Sequence, residues 1–260
     1  MSLNSTETVK LYLKNFRLPA MAATVDEMVR KAETEAWSYS RLLQTLCETE
    51  YQQRKNRKLE RLIRQSRLPE GKTLATLNEE FMPLKIRRML PTLLEGSFVE
   101  RGENILAFGL PGRGKTHFLA ALAHELIISR QYSVLFMPTF KLIQMLLRAK
   151  NENRLDRELN RMAKIDLVVV DDLGYVQYKR EEMELFFTFL AERYERKPLM
   201  ISSNLVFSQW GNIFQDEMTA MAAVDRLVHH SIILEFDGES IRNKVAQKRN
   251  NLNDTEEVMN

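Results

Sequence analysis

Residues Gly109-Leu110-Pro111-Gly112-Arg113-Gly114-Lys115-Thr116 carry the spacing G-x-x-x-x-G-K-[ST]. Glycines at these positions let several backbone N–H groups converge on phosphate oxygens, and the start of a following helix adds partial positive charge. Lys115 is the side chain for the β- and γ-phosphates, and the Thr116 hydroxyl is an oxygen ligand for Mg²⁺. His117 opens the helix that follows and belongs to the same nucleotide-contacting segment. The chemistry implied is binding of a nucleoside triphosphate, with ATP and Mg²⁺ as the expected cofactors.

A second group of residues completes such a site. Val168-Val169-Val170 ends in Asp171-Asp172, the apolar-run-plus-acid form that holds Mg²⁺ beside a phosphate loop. Asp171 is assigned to the metal, and Asp172 to orienting the attacking water. Asn204 ends another apolar run and is placed to reach the γ-phosphate, although Asn equally suits a plain turn. Arg226, in Ala222-Ala223-Val224-Asp225-Arg226-Leu227, fits an arginine finger or a salt bridge to a nearby acid. Arg242 is a weaker second candidate.

These residues need a scaffold. From residue 105 onward short β-rich runs alternate with helical stretches, the signature of a parallel sheet with crossover helices. Strands are expected at 105–109, 134–137, 167–171, 199–203 and 232–236, with one long helical segment over 139–163. The fold class is α/β. Residues 1–68 read as a small all-α N-terminal domain with a break at Leu18-Pro19, and 69–104 as a connector interrupted by Pro83, Pro91 and Gly96. The ATPase domain is expected over 105–243, with 244–260 a polar tail.

Charge placement says more than the net charge of +3. Arg54, Arg57, Arg61 and Arg64 recur at intervals of three and four on one helix, with Glu60 the single acid among them. Lys150, Arg154, Arg157, Arg161 and Lys164 form a second stripe at helical spacing. Either is a solvated helix face or a surface for nucleic-acid phosphates. The one cysteine, Cys47, excludes an internal disulfide and a thiolate zinc cluster; its neighbours Leu43 and Leu46 suggest that it serves as a small core hydrophobe. No apolar run approaches the roughly 18 residues of a membrane span, so the expectation is a soluble, cytoplasmic protein.

Several motifs together resemble one family. Gly114-Lys115-Thr116-His117-Phe118-Leu119-Ala120, Asp171-Asp172-Leu173-Gly174-Tyr175, Ser202-Ser203-Asn204-Leu205 and Asp225-Arg226-Leu227-Val228-His229 are similar to IstB/DnaC-type AAA+ ATPases. Arg193-Tyr194-Glu195-Arg196, Phe207-Ser208-Gln209-Trp210 and the N-terminal Leu18-Pro19-Ala20-Met21-Ala22 resemble the IstB branch, the helper ATPases of bacterial insertion sequences. The resemblance runs from about residue 7 to about residue 243.

It implies a five-stranded parallel sheet in the order 5-1-4-3-2. It implies an ATP-dependent, DNA-binding protein that forms homo-oligomers on double-stranded DNA and assists a transposase, with no membrane association. Asn204 then corresponds to the family's phosphate sensor and Arg226 to the finger reaching a neighbouring subunit's ATP. In the related DnaA and DnaC ATPases a helix at the position of the second basic stripe contacts DNA. Two departures stand out. Asp172 replaces the Glu common in AAA+ proteins, and the 18 residues after Arg242 are too few for a full helical lid. A replicative helicase loader of the DnaC type is the alternative, since it shares the ATPase motifs.

Overall fold

The β-branched run Leu167-Val168-Val169-Val170 has no exposed surface, as expected of a strand covered on both faces. In the computed structural model, which describes residues 5–176, 178–205, 209–210 and 227–237, it forms an inner strand of a five-stranded parallel sheet. Strand β3 (Leu167–Leu173) pairs with β2 (Val134–Pro138) on one side and β4 (Leu199–Ser203) on the other. Next to β4 lies β1 (Asn104–Phe108), and β5 (Ser231–Glu235) forms the edge. The order β2-β3-β4-β1-β5 is the expected 5-1-4-3-2 counted from the opposite edge.

The chain divides into two compact units, residues 1–61 and 62–260. In the first, α1 (Ser5–Asn15), α2 (Pro19–Thr34) and the start of α3 (Tyr39–Ser66) pack Met21, Val25 and Leu46 together. Pro19 opens α2, where its missing N–H costs nothing. The next donors, the N–H groups of Ala20 and Met21, are capped by the buried Glu50 carboxylate of α3 at 2.8 and 3.2 Å. Leu46 and Glu50 lie four residues apart on the face of α3 turned to this core. Cys47 lies about 100° round the helix from Leu46 and is exposed, which corrects the expectation of a core position. Leu43 is exposed as well.

The second unit contains the sheet with α4 (Leu84–Leu94), α5 (Ser97–Glu100), α6 (Lys115–Arg130), α7 (Thr139–Asn151), α8 (Leu155–Ala163) and α9 (Arg180–Arg193). The middle of helix α6 is buried, with Phe118 through Ala123 inaccessible to water.

The single helix expected over 139–163 is in fact two. Asn153 adopts φ of 53°, the left-handed conformation Asn tolerates better than most residues. Around it Arg154 N–H donates to Ala149 at 2.7 Å and Asn153 N–H to Lys150 at 3.0 Å. This is the paired bonding of a Schellman cap. The break turns the chain back so that Leu159 and Met162 of α8 bury in the main core.

Buried Arg193 at the end of α9 holds the far end of α8 in place. It donates to the carbonyls of Met162 at 2.8 Å, Ile165 at 3.2 Å and Pro198 at 3.1 Å. Burial pushes its pKa down to about 10.

Candidate nucleotide-binding site and basic faces

The phosphate loop begins where β1 ends. Gly109 has φ of +148°, and a Cβ there would meet the Phe236 carbonyl oxygen at 2.5 Å. That close approach exists because β5 continues past β1, with Phe236 N–H donating to Phe108 at 2.7 Å. Gly112 and Gly114 also have positive φ, and Gly114 is the residue from which α6 starts. Lys115 is buried, its ammonium donating to the carbonyls of Gly109 and, at 3.0 Å, Leu110. The side chain thus folds back along its own loop, as the loop's curvature requires. Arg113 leaves the loop sideways and donates to the Phe236 carbonyl at 3.1 Å.

Thr116, in the first turn of α6, donates to Asp171 Oδ1 at 2.9 Å. The same oxygen accepts from the buried Ser202 hydroxyl of β4 at 2.5 Å. Burial raises the Asp171 carboxyl above its ordinary range, only partly offset by Ser202 and Thr116, while the nearby Asp172 charge pushes it up further. Thr139 fixes the backbone here by donating to the Asp171 carbonyl at 2.9 Å.

Asp171 and Asp172 sit on a β-bulge. Val170 pairs with Ile201 and Leu173 with Ser203, so three steps along β3 match two along β4. Asp172 takes φ of 59°, and its N–H donates to the Ser202 hydroxyl at 2.8 Å. A regular strand would send consecutive side chains to opposite faces. The bulge instead leaves Asp171 buried against Thr116 while the exposed Asp172 lines the cavity above the loop.

That cavity, of about 520 Å³, is bounded by Pro111 through His117, Asp172 and Asn204. Two further boundary residues, Lys72 and Tyr175, have no site role assigned from sequence, and neither has Ser202, which supports Asp171 from β4. Ser202 had a signal, a polar residue directly after the apolar run Leu199-Met200-Ile201 in a buried strand. Tyr175 had one in closing the motif Asp171-Asp172-Leu173-Gly174-Tyr175, whereas Lys72 had none, because a connector lysine looks like any other. His117 bonds Thr76 through Nε2 at 3.0 Å, so it anchors the connector. Burial lowers its pKa, and the Lys72 charge acts in the same direction. Arg226 and Arg242 lie outside the described residues.

The two basic faces differ in how far their charges are committed. Arg54 is tied to Glu50 at 2.8 Å and to the Arg17 carbonyl, within the first unit's own packing. Arg57 bonds Gln53 at 2.8 Å, whereas Arg61 and Arg64 are exposed. In the second stripe, Lys150 belongs to α7 and pairs with Glu181 at 2.8 Å, so it does not share a helix with the others. Arg154, Arg157, Arg161 and Lys164 line a groove of about 840 Å³ together with Arg148, which the sequence reading missed. Arg154 pairs with Glu152 and Arg161 with Glu158. Among the described residues Arg157 and Lys164 make no ion pair. Hydrogen bonding by Arg161 holds the Glu158 carboxyl below its usual range, and burial opposes this. The charges of Arg154 and Arg67 add to the lowering, which shows how dense the positive charge is here.

The donors present suit a nucleotide with its metal. Thr116 and Asp171 offer hard oxygen ligands of the kind Mg²⁺ prefers, and the loop glycines leave backbone N–H groups unobstructed by a Cβ. Sheet order, loop and acid-ended third strand together define a P-loop protein of the AAA+ class.

Comparison with known proteins narrows the class. The profile of the family described as IstB-like ATP binding protein matches residues 11–249, and the chain belongs to that family. It is 36% identical over 240 residues to an insertion sequence IS21 ATP-binding protein of Pseudomonas aeruginosa, covering 92% of this chain and 90% of that one. It is likewise 36% identical to an insertion sequence IS5376 ATP-binding protein of Geobacillus stearothermophilus, covering 91% and 94%. Among solved structures, the DnaC helicase loader superimposes with a TM-score of 0.55 over 65% of this chain and 98% of that one. At 19% identity, that likeness speaks for the fold.

Proposed function

We propose that this chain is an ATP-hydrolysing helper of an insertion-sequence transposase, one that assembles on duplex DNA in the bacterial cytoplasm when ATP is bound. The observation carrying the reading is the meeting of Lys115, Thr116, Asp172 and Asn204 around one cavity, with buried Asp171 bonded to Thr116 beside it, in a chain of the IstB-like family.

In this reading the loop N–H groups and Lys115 bind the phosphates, while Thr116 and Asp171 hold Mg²⁺. The metal, when bound, neutralises phosphate charge. Ser202 and Thr116 fix the Asp171 carboxylate through Oδ1, leaving Oδ2 for the metal. Asp172 orients the attacking water and accepts its proton as oxygen bonds to the γ-phosphorus and the bond to the β,γ-bridging oxygen breaks. Asn204 donates to the transferred phosphoryl group. Arg226 of a neighbouring subunit completes the charge, which makes hydrolysis depend on oligomerisation.

The groove between α7 and α8 supplies the surface for DNA phosphates, with Arg148, Arg157 and Lys164 its uncommitted cations among the described residues. Such contact is sequence-tolerant and salt-dependent. Arg61 and Arg64 are a second contact. A helicase loader shares the fold, but the relatives matched over nine-tenths of this chain carry insertion-sequence names.

Phosphate release from ATP tests the reading. Wild type is expected to hydrolyse ATP with Mg²⁺, faster with duplex DNA, and Lys115→Ala to lose the activity. Hydrolysis equal in wild type and Lys115→Ala would place the activity elsewhere.

A further inference from the structure

The cavity above the phosphate loop has one wall that the sheet and its crossover helices do not supply. It comes from the connector, which turns at Gly71 (φ of +73°), passes Lys72 and forms the 3₁₀ turn Leu74–Thr76. Thr76 locks that turn. Its hydroxyl donates to the Gly71 carbonyl at 2.6 Å and accepts from Thr73 N–H at 3.0 Å, and it hydrogen-bonds His117 Nε2 at 3.0 Å. The connector is therefore pinned to the first turn of α6, directly beside Lys115 and Thr116.

Lys72 is half-buried within this pinned turn. Its charge reaches both His117 and the Asp171 carboxylate. Arg113 lines the same cavity but is tied to the Phe236 carbonyl, and among the described residues Lys72 makes no hydrogen bond or ion pair. A triphosphate carries more negative charge than Lys115 and one divalent cation neutralise. A further ammonium on the connector's wall answers that excess.

We propose that Lys72 is a phosphate-binding residue of the nucleotide site, brought to the phosphates by the Thr76–His117 anchor. The inference rests on the reading that Gly109–Thr116 binds a nucleoside triphosphate. It adds a role for the connector: the segment between α3 and β1 supplies a charge to the nucleotide site.

The test is titration calorimetry of the full chain with Mg²⁺ and a non-hydrolysable ATP analogue across a KCl series, using wild type, Lys72→Met, Lys72→Arg and Lys115→Ala. One charge-assisted hydrogen bond corresponds to about a tenfold loss for Lys72→Met at low salt, shrinking as salt rises. Lys72→Arg should recover most of it. Affinity of Lys72→Met within twofold of wild type at every salt overturns the proposal, provided Lys115→Ala abolishes binding. A loss independent of salt, or one Lys72→Arg does not relieve, also overturns it, because it marks a packing or base contact. Wild-type affinity in Lys115→Ala would instead remove the nucleotide reading of the loop on which the proposal stands.

Discussion

Thr116 and Asp171 are 55 residues apart in the chain, and their side chains meet at 2.9 Å, joining the first turn of α6 to the end of β3. The contact works because β3 is buried on both faces and cannot shift relative to β1, from which the loop emerges. A third residue, Ser202, closes the arrangement from β4.

The bulge at Asp171-Asp172 separates two carboxylates by role, one buried and bonded, the other facing the cavity. Asp172→Asn is therefore expected to leave affinity for a non-hydrolysable ATP analogue unchanged while lowering turnover by about 100-fold. Stopped-flow phosphate release beside a binding titration checks this. Equal loss of both would mean Asp172 serves binding.

Gly109 is required twice, by its φ of +148° and by the Phe236 carbonyl where a Cβ would sit. Gly109→Ala should destabilise the protein by about 2 kcal/mol, lowering Tm by about 4–8 °C. Calorimetric melting of the two proteins reads it directly.

Glu50 caps α2 from another helix. Burial alone would raise its carboxyl, but the bonds from Arg54, Met21 and Ala20 outweigh burial and bring it below its ordinary value. A lowered carboxyl stabilises the folded state above the unfolded pKa of about 4.3, and the contribution fades as pH falls through the lower folded value. Glu50→Gln should remove this acid-side dependence and, at neutral pH, weaken α2 by about 0.5–2 kcal/mol. Amide exchange at the start of α2, followed against pH, distinguishes the variant from wild type.

How much of this was legible in the sequence depends on how local each cause is. The β3 run, the loop and the acid pair are written in consecutive residues, and the sheet order followed from the family resemblance. The bulge is not legible, since it arises from pairing with β4 and has no signature in Asp171-Asp172 itself. Asn153 could have flagged the break between α7 and α8, but the charge spacing across it read as continuous. Cys47 was misplaced because Leu43 and Leu46 were read as one apolar face, whereas Leu43 points to water. Lys72 enters the site only through tertiary packing of the connector.

The two basic faces make different predictions for DNA. Arg157→Glu with Lys164→Glu should weaken duplex binding and flatten the log–log salt dependence by about one per lost phosphate contact. Arg54→Gln should act through the stability of the first unit, because its guanidinium is committed to Glu50. Fluorescence anisotropy across a salt series separates the two; unchanged affinity in the double variant would remove the groove as the DNA surface.

The central claim is that nucleotide state gates assembly on DNA. Sedimentation velocity of the wild-type chain with duplex DNA, in a non-hydrolysable ATP analogue and in ADP, tests it most directly. The account predicts large DNA-bound oligomers with the analogue and their absence with ADP. The same distribution of species in both nucleotides would contradict it.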